Sequence, residues 1–208
     1  LLLEKLLGSI LIGLNLVLYA GYFFKKGKTN QAFVVYLFFL FIINVIAVTI
    51  GMMKQNNLFF SHLYFNMQLI TLSYFFYTLE FNEIQKRIVK WVGIAIPSML
   101  LIHYINNPST LFRFNSLEVF MTNMPLIVYC LFHFYNSIGQ KLKYKYIISG
   151  MLVYFSFNTI IFCSGNLINS LELNISKLVW HVNSFFTYLF QILISWEWFQ
   201  GFYRKTSK

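Results

Sequence analysis

The chain has 208 residues, 58% of them apolar and only 11% charged, with 25 Phe, no Asp and a net charge of +10. A soluble domain carries about 25% charged residues, so water is the wrong solvent for this surface, and the length leaves no room for a membrane bundle plus a second globular domain. The positive charge sits in short clusters beside apolar stretches rather than on a face interleaved with exposed aromatics, which argues against nucleic acid as a partner.

A hydrocarbon core of roughly 30 Å needs about 20 apolar residues of helix to cross it. Seven stretches approach that length. The first is Leu6–Phe24. Glu4 and Lys5 before it give no net positive charge and no clean small-residue cleavage site follows, so it reads as a span rather than a leader. Lys25, Lys26 and Lys28 come next. The second, Gln31–Met53, carries Asn44 and is followed by Lys54. The third, Leu58–Phe81, carries His62 and Asn66 four residues apart and hence on one helix face, with Gln68 deeper. It ends at Glu80 and is followed by Lys86, Arg87 and Lys90. The fourth, Ile88–Ile105, contains Pro97, expected to kink it, and His103. A turn-rich connector, Asn106–Ser116, includes Arg113. The fifth, Leu117–Tyr135, holds Glu118, Asn123, Pro125, Cys130 and His133, and Lys141, Lys143 and Lys145 follow. The sixth, Tyr146–Ile168, carries Asn158 and Cys163. Asn158, Gly165, Asn166 and Asn169 share one stripe. The seventh, Leu178–Phe199, carries His181, Asn183, Gln191 and Glu197, and Arg204, Lys205 and Lys208 close the chain.

The segments after the first, third, fifth and seventh stretches hold 12 of the 16 basic residues; Lys5, Lys54, Arg113 and Lys177 lie on the other side. Cytoplasmic loops carry the Lys/Arg excess, so the N-terminus is expected outside and the C-terminus inside, in the cytoplasmic membrane. Trp91, Trp180, Trp196 and Trp198 fall near span ends, where an amphipathic ring has one wet edge. Cys130 and Cys163 are expected to act as small packing residues within spans, and no Cys/His metal spacing occurs.

A weak internal repeat runs through the chain. Asn44 and Gly51 in the second stretch match Asn158 and Gly165 in the sixth. His62 and Glu80 in the third match His181 and Glu197 in the seventh, while Asn15 and Tyr19 in the first match Asn123 and Tyr129 in the fifth. Two three-helix units joined by the fourth helix would run in the same direction, a 3+1+3 design with a pseudo-two-fold axis along the membrane normal.

The chemistry is bounded mostly by what is missing. No Lys lies in Leu178–Phe199 to form a retinal Schiff base. There is no Asp-Arg-Tyr or Asn-Pro-x-x-Tyr receptor motif, no Arg ladder for voltage sensing and no Pro-Gln transporter signature. No serine–histidine–carboxylate set or Gly-rich phosphate loop is recognisable, so no catalytic residue is assigned and no cofactor or metal is expected. A zinc site from His62, His181 and Glu118 or His103 has acceptable ligand types but no supporting spacing.

What remains is a polar set. His62, Asn66, Glu118, Asn166, His181 and Asn183 are the ligand-binding candidates toward the outer side, and Asn44, Asn158, Gln68 and Gln191 are the midplane candidates. The alternative for each amide is an interhelical hydrogen bond, worth about 0.6 kcal/mol on average. Glu80 and Glu197 read as inner anchors within reach of Arg87 or Arg204, and His133 as a buried neutral side chain.

The Phe/Tyr/Asn-rich spans, the Lys25-Lys26-Gly27-Lys28 turn, the Gly165-Asn166-Leu167-Ile168-Asn169 end of the sixth stretch and the Trp196-Glu197-Trp198 end of the seventh resemble small, uncharacterised seven-helix membrane proteins of Bacteroidota-type bacteria. That resemblance implies a location and no mechanism. The expectation is therefore an all-α, seven-span bundle that senses or scaffolds beside a membrane or cytoplasmic partner. The alternatives are a 3+1+3 small-solute transporter and, third, a metal-dependent intramembrane hydrolase.

Overall fold

The computed structural model describes residues 2–79, 82–139, 143–164 and 173–203. It is all-helical. Among the described residues the α-helices are α1 Leu2–Ala20, α2 Gly27–Met52, α3 Leu58–Thr78, α4 Glu83–Asn106, α5 Ser116–Asn136, α6 Lys145–Cys163 and α7 Leu173–Trp198. A 3₁₀ segment, Pro108–Phe112, lies between α4 and α5, and a π-helical turn, Phe199–Tyr203, extends α7.

Five helices are long and apolar enough to cross a membrane: α2, α4, α5, α6 and the Lys177–Gly201 part of α7 with its extension. The apolar part of α1, Leu6–Ala20, is shorter. At 21 residues α3 has the length, but its buried His62, Gln68, Thr71 and Ser73 lower its apolarity. Those side chains face protein, where such groups can be satisfied.

The helix ends follow local chemistry rather than apolarity. The first apolar stretch runs to Phe24, but α1 stops at Ala20. Tyr22, Phe23 and Lys25 then donate to carbonyls three residues back, and Phe24 is 89% exposed. The fully buried Asn30 donates to the Tyr22 carbonyl at 3.1 Å and holds this turn, while Gly27 at φ +80° opens α2. Helix α4 starts at Glu83, five residues before its apolar stretch, because the Asn82 side chain accepts from Gln85 N at 2.9 Å. Asn115 caps α5 in the same way, accepting from Glu118 N. These are N-cap bonds that satisfy first-turn donors. Both α4 and α5 continue through Pro97 and Pro125 as single helices.

Packing is sequential apart from two contacts, α3·α5 and α7·α1. Contacts join α1 to α2, α2 to α3, α3 to α5, α5 to α6, α6 to α7 and α7 back to α1, a closed ring of six. Helix α4 packs on α3 and α5 and takes no place in that ring. Short turns make chain neighbours antiparallel. The ring therefore has two seams between parallel helices, α3·α5 and α7·α1.

The two ends of the bundle differ. At one end Thr29 donates to the Thr78 carbonyl, Asn136 to Gln85 Oε1, and Tyr146 N to Glu197 Oε2 at 2.7 Å. That end carries Lys25, Lys26, Lys28, Lys86, Arg87, Lys90, Lys143 and Lys145. The Glu197 carboxylate thus caps α6; Glu80 and Arg204, its expected counterparts, lie outside the described residues. The core is dense here. Tyr19, Phe33, Leu72, Phe75, Phe76, Ile147, Ile148 and Ile194 are fully buried. Phe75 meets Phe33 at 5.4 Å and Tyr144 edge-on at 5.4 Å. The opposite end is looser and holds the cavities described below. Around the outside, Ile10, Val17, Met99, Leu101, Ile105, Leu131, Ile160 and Leu178 are all at least half exposed, which is the surface of a protein solvated by hydrocarbon. Cys130 is buried as expected, but Cys163 is exposed, its thiol 3.8 Å from the Ser116 carbonyl.

Candidate functional site: a polar cavity in the helix ring

The polar residues singled out in the sequence divide into three groups rather than one cup. The first is on the α3·α5 seam at the end away from the basic clusters. Position 62 on α3 and position 118 on α5 meet, and His62 Nδ1 pairs with Glu118 Oε2; the two side chains are 4% and 1% exposed. Asn66, one turn below His62, donates to Glu118 Oε1 at 2.8 Å. The Tyr104 hydroxyl of α4 is 3.2 Å from His62 Nδ1. His62 Nε2 faces the Arg113 carbonyl at 3.1 Å, an oxygen that only accepts, so Nε2 carries a hydrogen. A single proton then fills the Nδ1–Oε2 contact, and the pair is neutral as a unit. A buried ion pair of this kind specifies how two helices meet more than it stabilises them.

The second group is at the α7·α1 seam. His181 Nδ1 lies 2.7 Å from Glu4 Oε1, with the side chains 48% and 26% exposed. Tyr188 donates to the Glu4 carbonyl at 2.7 Å. Deeper in that seam Asn15 donates to Gln191 Oε1 and to the Gln191 carbonyl, both at 2.9 Å, and accepts from Ser195 at 2.7 Å. The α3·α5 seam has its own amide pair at depth, Gln68 donating to Asn123 Oδ1 at 3.1 Å. Asn123 passes the chain on to Asn158 Oδ1 of α6 at 3.0 Å. Each parallel seam therefore carries a His–Glu pair toward the end away from the basic clusters and an Asn–Gln pair nearer to them.

The third group lines a cavity of about 280 Å³ bounded by α1, α2, α3, α6 and α7. Asn44, Asn158, Asn183 and Gln191, from three different helices, all reach it, and Asn57 just before α3 is a fifth amide in its lining. Tyr36, Tyr64, Tyr154, Phe60, Phe162 and Phe190 supply most of its aromatic wall, and none of the lining side chains is charged. Some polar capacity is already used: Asn44 accepts from Ser9 at 2.6 Å, and the Tyr64 and Tyr154 hydroxyls are 3.2 Å apart. Tyr36 is different. It is 2% exposed and its hydroxyl has no hydrogen-bond partner among the described residues. Gln68, 3% exposed, likewise has an unpartnered Oε1, beside a small void shared with Tyr36 and Tyr64. Buried polar atoms are nearly always satisfied, so each such exception in a cavity wall marks a position for a ligand or water contact.

The cavity adjoins an opening of about 490 Å³ at the α7·α1 seam, lined by Glu4, Gly8, Trp180, Ser184 and Tyr188, with Ile12, Asn44, Asn183 and Thr187 common to both. Below the cavity the Asn15–Gln191–Ser195 bonds and the aromatic core close the ring. The geometry is that of a cup: open at the end away from the basic clusters, closed toward them.

His62, Asn66 and Glu118 do not line this cup, and Gln68 touches only the neighbouring void. His181 pairs with Glu4 at its opening rather than with His62, which corrects the expected joint site of two imidazoles. Asn166 lies outside the described residues, as does Asn169. Among the described residues no three His, Cys, Asp or Glu side chains form a cluster fit for a metal ion. His103 is exposed, and His133 is buried with Nε2 3.1 Å from the Lys143 carbonyl. Sequence reasoning passed over Tyr36, Tyr64, Tyr154, Tyr104 and Ser195. In a chain with 14 Tyr nothing distinguishes a cavity tyrosine from a packing one.

Comparison with family models, with curated proteins and with solved structures finds no match to this chain.

Proposed function

We propose that the chain is a seven-span protein of a bacterial cytoplasmic membrane, N-terminus outside, that works as a non-enzymatic sensor or accessory subunit. It takes a small neutral molecule from the outer side into the cavity among α1, α2, α3, α6 and α7. The observation that carries this reading is the convergence of Asn44, Asn158, Asn183 and Gln191 with the unpartnered Tyr36 hydroxyl in an uncharged, aromatic-walled space. Ligand sites are concave and mostly apolar with a few directional polar groups, and at about 280 Å³ this one suits a small metabolite. The absence of charge among the lining residues selects against ions. The gathering of basic residues at the closed end supports the orientation, since that end is then cytoplasmic.

The connectors 21–26, 79–82 and 137–144 are too short to hold an effector domain, and the proposed route for the signal is to a membrane or cytoplasmic partner through the basic face or the lipid-facing helices.

The test is a thermal-stability screen of the purified protein against small neutral aromatic alcohols, amides, nucleobases and sugars. A binder at 100 times its Kd stabilises by about 2.7 kcal/mol. At least one class should stabilise wild type by several degrees and lose that effect in Asn183→Leu and Asn44→Leu, while Lys86→Gln retains it. If no compound stabilises wild type more than Asn183→Leu, the reading fails.

A second reading, a 3+1+3 solute transporter, is favoured by one specific observation. Exchanging α1, α2, α3 for α5, α6, α7 maps the ring contacts onto themselves. The same exchange pairs His62–Glu118 with His181–Glu4 and Gln68–Asn123 with Gln191–Asn15. This supports a duplicated three-helix unit with α4 as the linker. Uptake of the screened binder into proteoliposomes would favour transport over sensing.

A further inference from the structure

A second and larger concavity lies on the outside of the bundle, between α3 and α4. It is about 650 Å³ and is walled by Phe59, Leu63, Met67 and Ile70 of α3 and Pro97, Leu101 and Ile105 of α4. Its shape has a local cause. Lower down, Gly93 of α4 sits so close to α3 that a Cβ added there would lie 2.6 Å from Ser73 Cβ, which pins the two helices together. Above that contact the lining passes through Pro97, and the 3₁₀ segment, which touches both helices, closes the top with Pro108 and Leu111. The result is a groove closed at the top and open along its side, with a further hollow of about 300 Å³ beyond Ile70 beside Ser73 and Gly93.

We propose that this groove is a binding site for a phospholipid of the outer leaflet, with one acyl chain in the groove and the phosphate at Arg113. Two observations choose this occupant. The α3 wall runs from Phe59 to Ile70, roughly 16 Å of helix rise. That is about half of the roughly 30 Å hydrocarbon core, the depth of one leaflet. Of its polar lining residues, His62 and Tyr104 stand toward the upper end and Asn66 and Ser98 lie lower. Arg113 stands at the upper end: His62, itself in the groove wall, is bonded to its carbonyl, and the residue is exposed between the exposed Phe112 and Phe114. A cation flanked by two aromatic rings at the headgroup level fits a phosphate above an apolar slot. Because α4 stands outside the helix ring, the groove is separate from the cavity and faces the lipid.

The proposal rests on the bilayer reading of the chain but not on the cavity or its ligand. The experiment is native mass spectrometry of delipidated protein titrated with palmitoyl-oleoyl phosphatidylglycerol and, in parallel, with the diacylglycerol of the same chains. Wild type should hold one phosphatidylglycerol tightly and the diacylglycerol weakly. Arg113→Gln should weaken phosphatidylglycerol about fivefold, the effect of one surface cation. Leu101→Trp and Ile105→Trp, both at exposed positions, should fill the groove and remove that adduct while leaving the lipid-free melting temperature unchanged. Equal binding of the two lipids, or an unchanged adduct in all three variants, overturns the proposal. So does a protein dimer that disappears in Leu101→Trp, which would make the groove an interface between copies.

Discussion

At the scale of single residues, His62 and Glu118 show how little of a polar pair belongs to either partner. Each is buried, and each removes the other's charge from a medium that would penalise it. Glu118→Leu leaves His62 without its partner, and the expected cost is about 3 kcal/mol. The double variant His62→Phe, Glu118→Leu buries no charge and should regain most of that loss. Thermal unfolding in one detergent checks both. A double variant no better than the single one would mean that the pair stabilises the fold in its own right. The sequence pointed to His62, Asn66 and Glu118 as polar residues near one face, but their pairing depends on α3 meeting α5 directly past α4. No spacing rule contains that contact. The same holds for Tyr36, whose importance rests on a hydroxyl left without a partner, a property that only the surrounding helices can create.

At the scale of elements, the helices were legible because an apolar run of the right length has few alternatives, whereas their ends were not. Ends are set by capping and turn chemistry, so α4 begins at Asn82's cap inside a polar stretch and α1 stops before Tyr22 and Phe23. Two turns carry a visible strain, at Lys54 and at Tyr144, which has φ +54° just before α6. Lys54, between α2 and α3, has φ +58°, a left-handed conformation that costs an L-residue roughly 1–2 kcal/mol and glycine nothing. Lys54→Gly should raise stability by about 1 kcal/mol. A lowered melting temperature would mean that the lysine side chain does more than tolerate the turn. The close helix contacts predict the reverse. A Cβ at Gly150 would lie 2.9 Å from the Phe190 ring and 3.1 Å from Leu193, so Gly150→Ala should cost about 1–3 kcal/mol by overpacking the α6·α7 contact. In the α7·α1 seam Asn15 makes three side-chain hydrogen bonds to Gln191 and Ser195. Asn15→Leu should therefore cost near 2 kcal/mol, at the upper end for amides between membrane helices.

At the scale of the whole molecule, the distribution of packing is the informative feature. Inside the helix ring the end that carries the basic clusters is filled by fully buried aromatic and aliphatic side chains, while the other end contains the cavity and its opening; on the outside, hollows between α3 and α4 occur at both ends. Under the orientation proposed above, the dense half faces the cytoplasm and the open half faces outward, as the proposed binding of an external molecule requires, and the ring with α4 set aside gives that cup two chemically similar seams. The central claim is that the cup opens away from the cytoplasm. It is tested by replacing Cys130 and Cys163 with Ala, introducing Asn183→Cys in the cup or Lys86→Cys at the basic end, and treating intact cells with a membrane-impermeant maleimide. Asn183→Cys should label in intact cells, and Lys86→Cys only after the membrane is permeabilised. Labelling of Lys86→Cys in intact cells, with Asn183→Cys protected until permeabilisation, would invert the molecule and contradict the account.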